Sequence, residues 1–197
     1  MEYPMVTVND VMTLGVPTDR FLVPLSANTY KIDFLAFKIR AVQDGHETCL
    51  FEISKDPDDG PELDDTIGDD ARMIKYHFGP RFLDFQTIGT NLEFTIGDVP
   101  LHNFRMIERH YFGDQLIKSY DFTLPFVIPN TRNTWEVIYT MPDMDPALKQ
   151  AIIQNPYATC SDSFYFVEDR LVMHNKAWYD YSEGPGMVEI REEPPMP

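Results

Sequence analysis

The stretch from Asp121 to Tyr139 narrows the fold more than any other part of the chain. Phe122, Leu124 and Phe126 recur at every second residue, Pro129-Asn130 interrupts, and Trp135, Val137 and Tyr139 resume the same period. A period of two puts such side chains on one face of an extended strand. Proline offers no N–H to a ladder and asparagine favours turns, so Pro129-Asn130 reads as a corner between two strands. A chain built on this unit has to bury one face of a sheet against a second layer.

The same period runs through most of the sequence. Tyr30, Ile32 and Phe34 alternate, and Phe37 and Ile39 continue after a slip at Leu35-Ala36 that reads as a bulge. Asp44-Gly45 is a turn signal, and Cys49, Phe51 and Ile53 carry the return strand. Ile74, Tyr76 and Phe78 form one strand face, and Phe82 to Asp98 reads as one long strand with Leu92, Phe94 and Ile96 on one side. Phe104 to Phe126 reads as a hairpin turning at Gly113-Asp114. Ser163–Val167 and Leu171–Trp178 make a last hairpin, apolar on both faces and therefore buried.

Helical signals are few. Asp145 caps a helix, Pro146 sits in its first turn and Pro156 ends it. Asn9 to Gly15 predicts a short helix within residues 1–27, otherwise an extended lead-in that packs on the domain at most. Residues 28–182 then form an all-β sandwich. Residues 56–70 hold eight acidic side chains and no basic one, which predicts a flexible loop without the spacing of a calcium-binding hand. Residues 183–197, rich in Pro, Gly and Glu, predict a disordered tail.

A net charge of −16 argues against a nucleic-acid binder, which needs a basic surface to displace counterions, and against adsorption to anionic membranes. No apolar run is long enough for a membrane span and no signal peptide stands out. Cys49 and Cys160 match neither a metal pattern nor a disulfide framework, so reduced thiols and a cytoplasmic location are expected. Phosphate loop, dinucleotide fingerprint, zinc spacing and nucleophile elbow are all absent, so neither catalysis, a metal nor a cofactor is expected.

Two features point to a pocket. Tyr76, Tyr120, Tyr139 and Tyr165 sit on apolar strand faces, and each hydroxyl needs a partner when buried. Glu108 and His110 share a face with Phe104, Met106 and Phe112, where an unpaired charge is costly. Either that face is wet at these two positions, or they meet a polar ligand group at the mouth of a cavity between the sheets. The competing reading is an interaction module with a solid aromatic core, since large apolar side chains are usually buried for packing alone.

Several runs resemble a known family. Phe126-Val-Ile-Pro-Asn-Thr-Arg-Asn-Thr-Trp135 resembles the strand–turn motif of the phosphodiesterase-delta superfamily. Asn103–Phe112, Ser161–Val167 and Asp169–Ala177 are similar to the uncoordinated-one-nineteen family of myristoyl-binding chaperones within it, a likeness extending from about Tyr30 to Tyr181. The resemblance implies an immunoglobulin-like β-sandwich enclosing a hydrophobic lipid pocket. It further implies a carrier that solubilises N-myristoylated proteins, including G-protein α subunits and ciliary cargo. Release would follow binding of a GTP-loaded Arf-like small GTPase, with enrichment at cilia or in neurons. Carried onto this chain, Tyr76 contacts the acyl tail, Phe94, Phe122, Tyr139 and Phe166 form the wall, and Glu108 and Tyr165 meet the polar end of the cargo. A prenyl carrier is the variant reading of the same fold.

Overall fold

The structure, a computed structural model, describes residues 3–43, 45–55, 68–184 and 191–192. Its strands are β1 (Asp33–Gln43), β2 (His46–Ser54), β3 (Met73–His77), β4 (Thr87–Thr95), β5 (Leu101–Phe112), β6 (Gln115–Val127), β7 (Arg132–Thr140), β8 (Thr159–Val167), β9 (Arg170–Asp180) and β10 (Arg191–Glu192). Helix α1 spans Val8–Met12 and α2 spans Pro146–Gln154. Among the described residues the strands form two five-stranded sheets, ordered β10-β2-β1-β4-β7 and β3-β9-β8-β5-β6. Neighbours run antiparallel except β3, which lies parallel to β9. This is the β-sandwich expected from the period-two runs.

The corner at Pro129-Asn130 carries the chain from β6 in the second sheet to β7 in the first. Asn130 adopts φ +55°, a conformation asparagine tolerates better than most residues. Asn133 ties the turn by donating its amide to the carbonyls of Ile128 and Thr131, each at 3.1 Å. The slip at Leu35 is a register shift in the β1–β4 ladder between Phe34 and Ala36, with Leu35 itself buried. In α2, the Asp145 side chain accepts from the Leu148 N–H at 2.9 Å and Pro146 occupies the first turn, as expected.

Several expectations give way to local physics. The long strand from Phe82 is in fact a 3-10 turn, Pro80–Asp84, followed by β4 from Thr87. Proline opens the turn, and the adjacent Phe82 and Leu83 are both buried, which a half-buried strand does not allow. Phe126 leaves the inward face of β6: Asn103, at φ +50°, twists the end of the ladder so that Leu101 and Val127 turn inward while Phe126 lies exposed against His102. Helix α1 starts earlier than predicted, because Thr7 and Asp10 form a reciprocal capping box. Of the acidic loop, residues 56–67 lie outside the described residues, and Asp69–Arg72 form a 3-10 turn. Of the predicted disordered tail, residues 185–190 and 193–197 lie outside the described residues, and Arg191–Glu192 pair with β2.

The outer face of the first sheet is charged. Arg40 on β1 crosses β4 to pair with Glu136 on β7, lying flat over Gly89. A Cβ at Gly89 would stand 3.0 Å from the Arg40 guanidinium carbon, so glycine lets the side chain lie this close to the sheet.

The outer face of the second sheet is covered instead. Residues 6–27 pack over it, and Val11, Val23, Ile107, Phe164, Phe166 and Leu171 make a cluster there. The lead-in is therefore part of the core, with Val11 fully buried. Phe166, expected in the pocket wall, lies on this covered face, back to back with the interior. A strand apolar on both faces gives no alternation from which to tell its two sides apart. Replacing Phe166 with alanine should lower the free energy of unfolding by about 3–5 kcal/mol, the usual cost of truncating a buried phenylalanine. Urea denaturation measures it, and a change under about 1 kcal/mol would mean that the covering segment does not hold this face closed.

Candidate functional site

Between the sheets the aromatic side chains do not meet everywhere, and they leave a cavity of about 410 Å³. The first sheet contributes Phe34, Phe37, Ile39 and Leu92, together with Trp135 and Val137 from β7. Met141, Pro142, Met144 and Ile152, from the connection into α2 and the helix itself, close one end. Ile53 on β2 and Ile74 on β3 line the cavity yet are 59% and 45% exposed, so the opening lies between these two strands. The lining is predominantly apolar, and the volume falls in the range of small-ligand pockets, about 300–1,000 Å³.

Polar groups concentrate on the second sheet. Glu108 on β5 faces the cavity beside His110, whose Nε2 stands 3.3 Å from a Glu108 carboxylate oxygen. That distance suits an ion pair, although Nε2 has no well-aligned hydrogen bond. The Ser163 hydroxyl reaches Glu108 at 3.5 Å, at the limit of hydrogen bonding. Burial alone pushes the Glu108 carboxyl up; the proximity of His110 and the contacts from Ser163 and Ser161 outweigh it and hold the group below the usual carboxylate range.

Tyrosines surround this carboxylate. Burial first, and the Glu108 charge second, raise the hydroxyls of Tyr76, Tyr120, Tyr139, Tyr165 and Tyr179 above the ordinary tyrosine value. All five line the cavity and remain neutral phenols. Tyr179 shares a hydrogen bond of 2.9 Å with Ser161, and its ring stacks on Tyr76 at 5.5 Å between centroids. The arrangement is a predominantly apolar chamber with the Glu108–His110 pair on the second sheet, neutral tyrosine hydroxyls on both walls, and Lys55, Lys118 and Lys176 also along its lining. Among the described residues no group of His, Cys, Asp and Glu is placed to hold a metal, and both cysteines are free.

Of the residues expected at the site, Tyr76, Tyr139, Glu108 and Tyr165 are brought together around the cavity. Phe94 is not part of its lining: it is fully buried against Phe34 and Phe104 in the solid part of the core. Phe122 also stands back from it, stacked on Tyr120 at 6.1 Å and next to Tyr139. Phe166 points the other way, as described above. Tyr179 and Tyr181 went unrecognised because β9 was expected to stop at Trp178. The alternation of Ala177, Tyr179 and Tyr181 was the available signal.

Comparison with known proteins places the chain. Residues 26–181 match the family described as GMP-PDE, delta subunit. The chain belongs to this family. It is similar to Protein unc-119 of Caenorhabditis briggsae, 48% identical over 89% of this chain and 80% of that protein. It is 47% identical to Protein unc-119 homolog B of Danio rerio, over 91% of this chain and 75% of the relative. The human homolog B is 45% identical over 88% of this chain and 71% of its own length. The family is of carrier type rather than catalytic, and membership together with the apolar chamber supports a lipid-binding carrier. No helix among the described residues is long and apolar enough to cross a membrane.

The Glu108–His110 contact has a measurable consequence. Because the Glu108 pKa is depressed in the fold, its contribution to stability is present above the unfolded value of about 4.3 and is lost as pH falls through the folded value. Replacing His110 with phenylalanine removes the nearest compensating group and leaves burial in place. The Glu108 carboxyl should then titrate above the usual carboxylate range, read by carboxyl-carbon NMR. An unmoved titration would assign the effect to the two serines instead.

Proposed function

We propose that the chain is a non-enzymatic carrier that takes the acyl tail of N-myristoylated proteins into the cavity between its sheets. The observation that carries this reading is the hollow itself: a predominantly apolar chamber with the Glu108–His110 pair inside, in a chain of the delta-subunit family. A myristoyl tail gains about 0.8 kcal/mol per buried methylene, on the order of 10 kcal/mol gross, which a soluble carrier must match by apolar burial. On this reading the tail enters between Ile53 and Ile74, Tyr76 and Tyr139 contact it, and Glu108 and Tyr165 meet the amide end of the cargo. G-protein α subunits and ciliary proteins are the cargo class, and the carrier works in the cytoplasm, with enrichment at cilia or in neurons. Cargo leaves when a GTP-bound Arf-like GTPase binds the outside and favours a state with a narrower cavity, as opposing ligands on one equilibrium require.

A prenyl carrier is the second reading, since it would share the same fold and lipid class. A solid-core interaction module would not leave a volume of this size unfilled. The test is binding of a fluorescent myristoylated peptide, its farnesylated counterpart and the unmodified peptide. Tight binding of the first alone is expected; equal binding of lipidated and bare peptides would end the carrier reading. A Tyr76→Ser variant should bind the myristoylated peptide at least about tenfold more weakly, with an unchanged far-ultraviolet circular dichroism spectrum, since tenfold is only about 1.4 kcal/mol of lost contact.

A further inference from the structure

The segment covering the second sheet is held in an unusual way. Five charged or titratable side chains of the domain converge on its main chain. Arg109 donates to the Leu14 carbonyl at 2.5 Å, Lys176 to the Thr18 carbonyl at 2.6 Å and Arg72 to the Val23 carbonyl at 2.6 Å. Asp162 accepts from the Thr18 N–H at 2.8 Å and from its hydroxyl at 3.0 Å. Nδ1 of His174 accepts from the Leu22 N–H at 3.1 Å, and the opposite nitrogen, Nε2, lies 2.9 Å from Asp162. Asp162 and His174 are almost wholly buried.

These contacts fix the state of His174. Nδ1 faces a backbone donor, so it carries no proton, and Nε2 donates to the carboxylate. The ring is neutral. We propose that residues 14–23 form a strap whose docking is switched by His174: docked while the imidazole is neutral, released when Nδ1 takes a proton.

Protonation would set two donors, Nδ1–H and the Leu22 N–H, against each other at hydrogen-bond distance. It would also add a cation to a crowded site. The groups facing His174 are Asp162 on β8, Lys176 two residues along on β9, and Arg72 from the turn before β3, which lies 3.8 Å over the Phe21 ring. Phe21 and Phe164 cover the imidazole at 5.2 and 4.4 Å between centroids and keep water from it. Arg72 is already paired with Asp69, so Asp162 would be left to serve both Lys176 and the new imidazolium.

The acid–base balance runs the same way. Burial first, and the positive charges of Lys176 and Arg72 with it, hold the His174 pKa below its ordinary value against the pull of Asp162. Asp162 is itself held below the carboxylate range, where hydrogen bonds from His174, Lys176 and Thr18 outweigh its burial, so it stays ionised as pH falls from 7 to 5. A histidine depressed in the docked state gives stability that is complete above its free value, about 6.5, and lost as pH drops toward the docked value. Between pH 7.5 and 5.5 the docking equilibrium can weaken by up to about tenfold from this one group.

Hydrogen exchange followed by NMR on the full chain tests the switch, with rates corrected for intrinsic chemistry. Protection factors of the Thr18 and Leu22 amides should fall together by about tenfold between pH 7.5 and 5.5, while the Phe164 amide within β8 keeps its protection. In a His174→Asn variant, where the side-chain oxygen replaces Nδ1 as acceptor, the pH dependence should vanish. Ring-nitrogen shifts of the wild-type protein give a second measurement that does not depend on that variant folding. They should show His174 singly protonated at pH 7.5, with doubly protonated ring gained in step with lost strap protection. Constant protection at pH 5.5, or a doubly protonated His174 beneath a protected Leu22 amide, would overturn the proposal.

Discussion

A sandwich with a hollow centre cannot draw its stability from the place where sandwiches normally find it. At about 24 cal/mol per Å³, a void of about 410 Å³ represents on the order of 10 kcal/mol of forgone packing, an upper figure because the lining is already relaxed around it. That is comparable to the gross gain from burying a long acyl tail. The chain compensates at its margins. Phe94, Phe104, Leu101 and Val127 make a solid core at one end, and α2 with its lead-in seals the other. The second sheet gains a third layer from the amino-terminal strap.

The third layer explains why β5, β8 and β9 are buried on both faces. A strap without regular structure exposes backbone N–H and C=O groups that a purely apolar sheet face would leave unsatisfied. Arg109, Asp162, His174 and Lys176 answer that need from the sheet, each meeting a main-chain group of the strap. Neighbouring residues along β8 thus serve unlike tasks: Ser161, Ser163 and Tyr165 face the chamber or the groups lining it, while Asp162, Phe164 and Phe166 hold the strap.

This two-sidedness also marks where the sequence was legible. Strands with one wet face declared themselves: the alternation in β1, β3, β6 and β7 put Tyr76 and Tyr139 on inward faces, where the structure has them, and Glu108 stood out on β5 as a charge among apolar neighbours. Capping and proline chemistry gave α2, and the broken period at Leu35 gave a bulge. Phe166 was misassigned because Phe164 to Val167 is apolar at every position, and only tertiary context decides which side is which. The strap was undervalued for a related reason. Its individual residues carry no period, and their partners lie about 50 to 160 residues away in the chain. Phe94 shows a further limit, since an inward-facing aromatic is equally a wall or a plug until the opposite sheet is in place.

The Glu108 carboxylate in the chamber constrains what can fill it. In the empty cavity Glu108 is compensated by His110 and its serine contacts, with part of its surface turned to the open volume. A ligand that displaces water there strengthens every remaining electrostatic interaction and removes whatever solvation the carboxylate had. A hydrocarbon placed against Glu108 would therefore cost stability, and a free carboxylate would bring like charge to like. A group with an N–H or O–H to donate restores the lost hydrogen bond at that point. The amide linking an acyl chain to a peptide has such an N–H, whereas a thioether-linked prenyl group does not. The placement of one carboxylate among neutral tyrosines thus sets a demand for a donor on any ligand that reaches it, on chemical grounds that are separate from the family relationship.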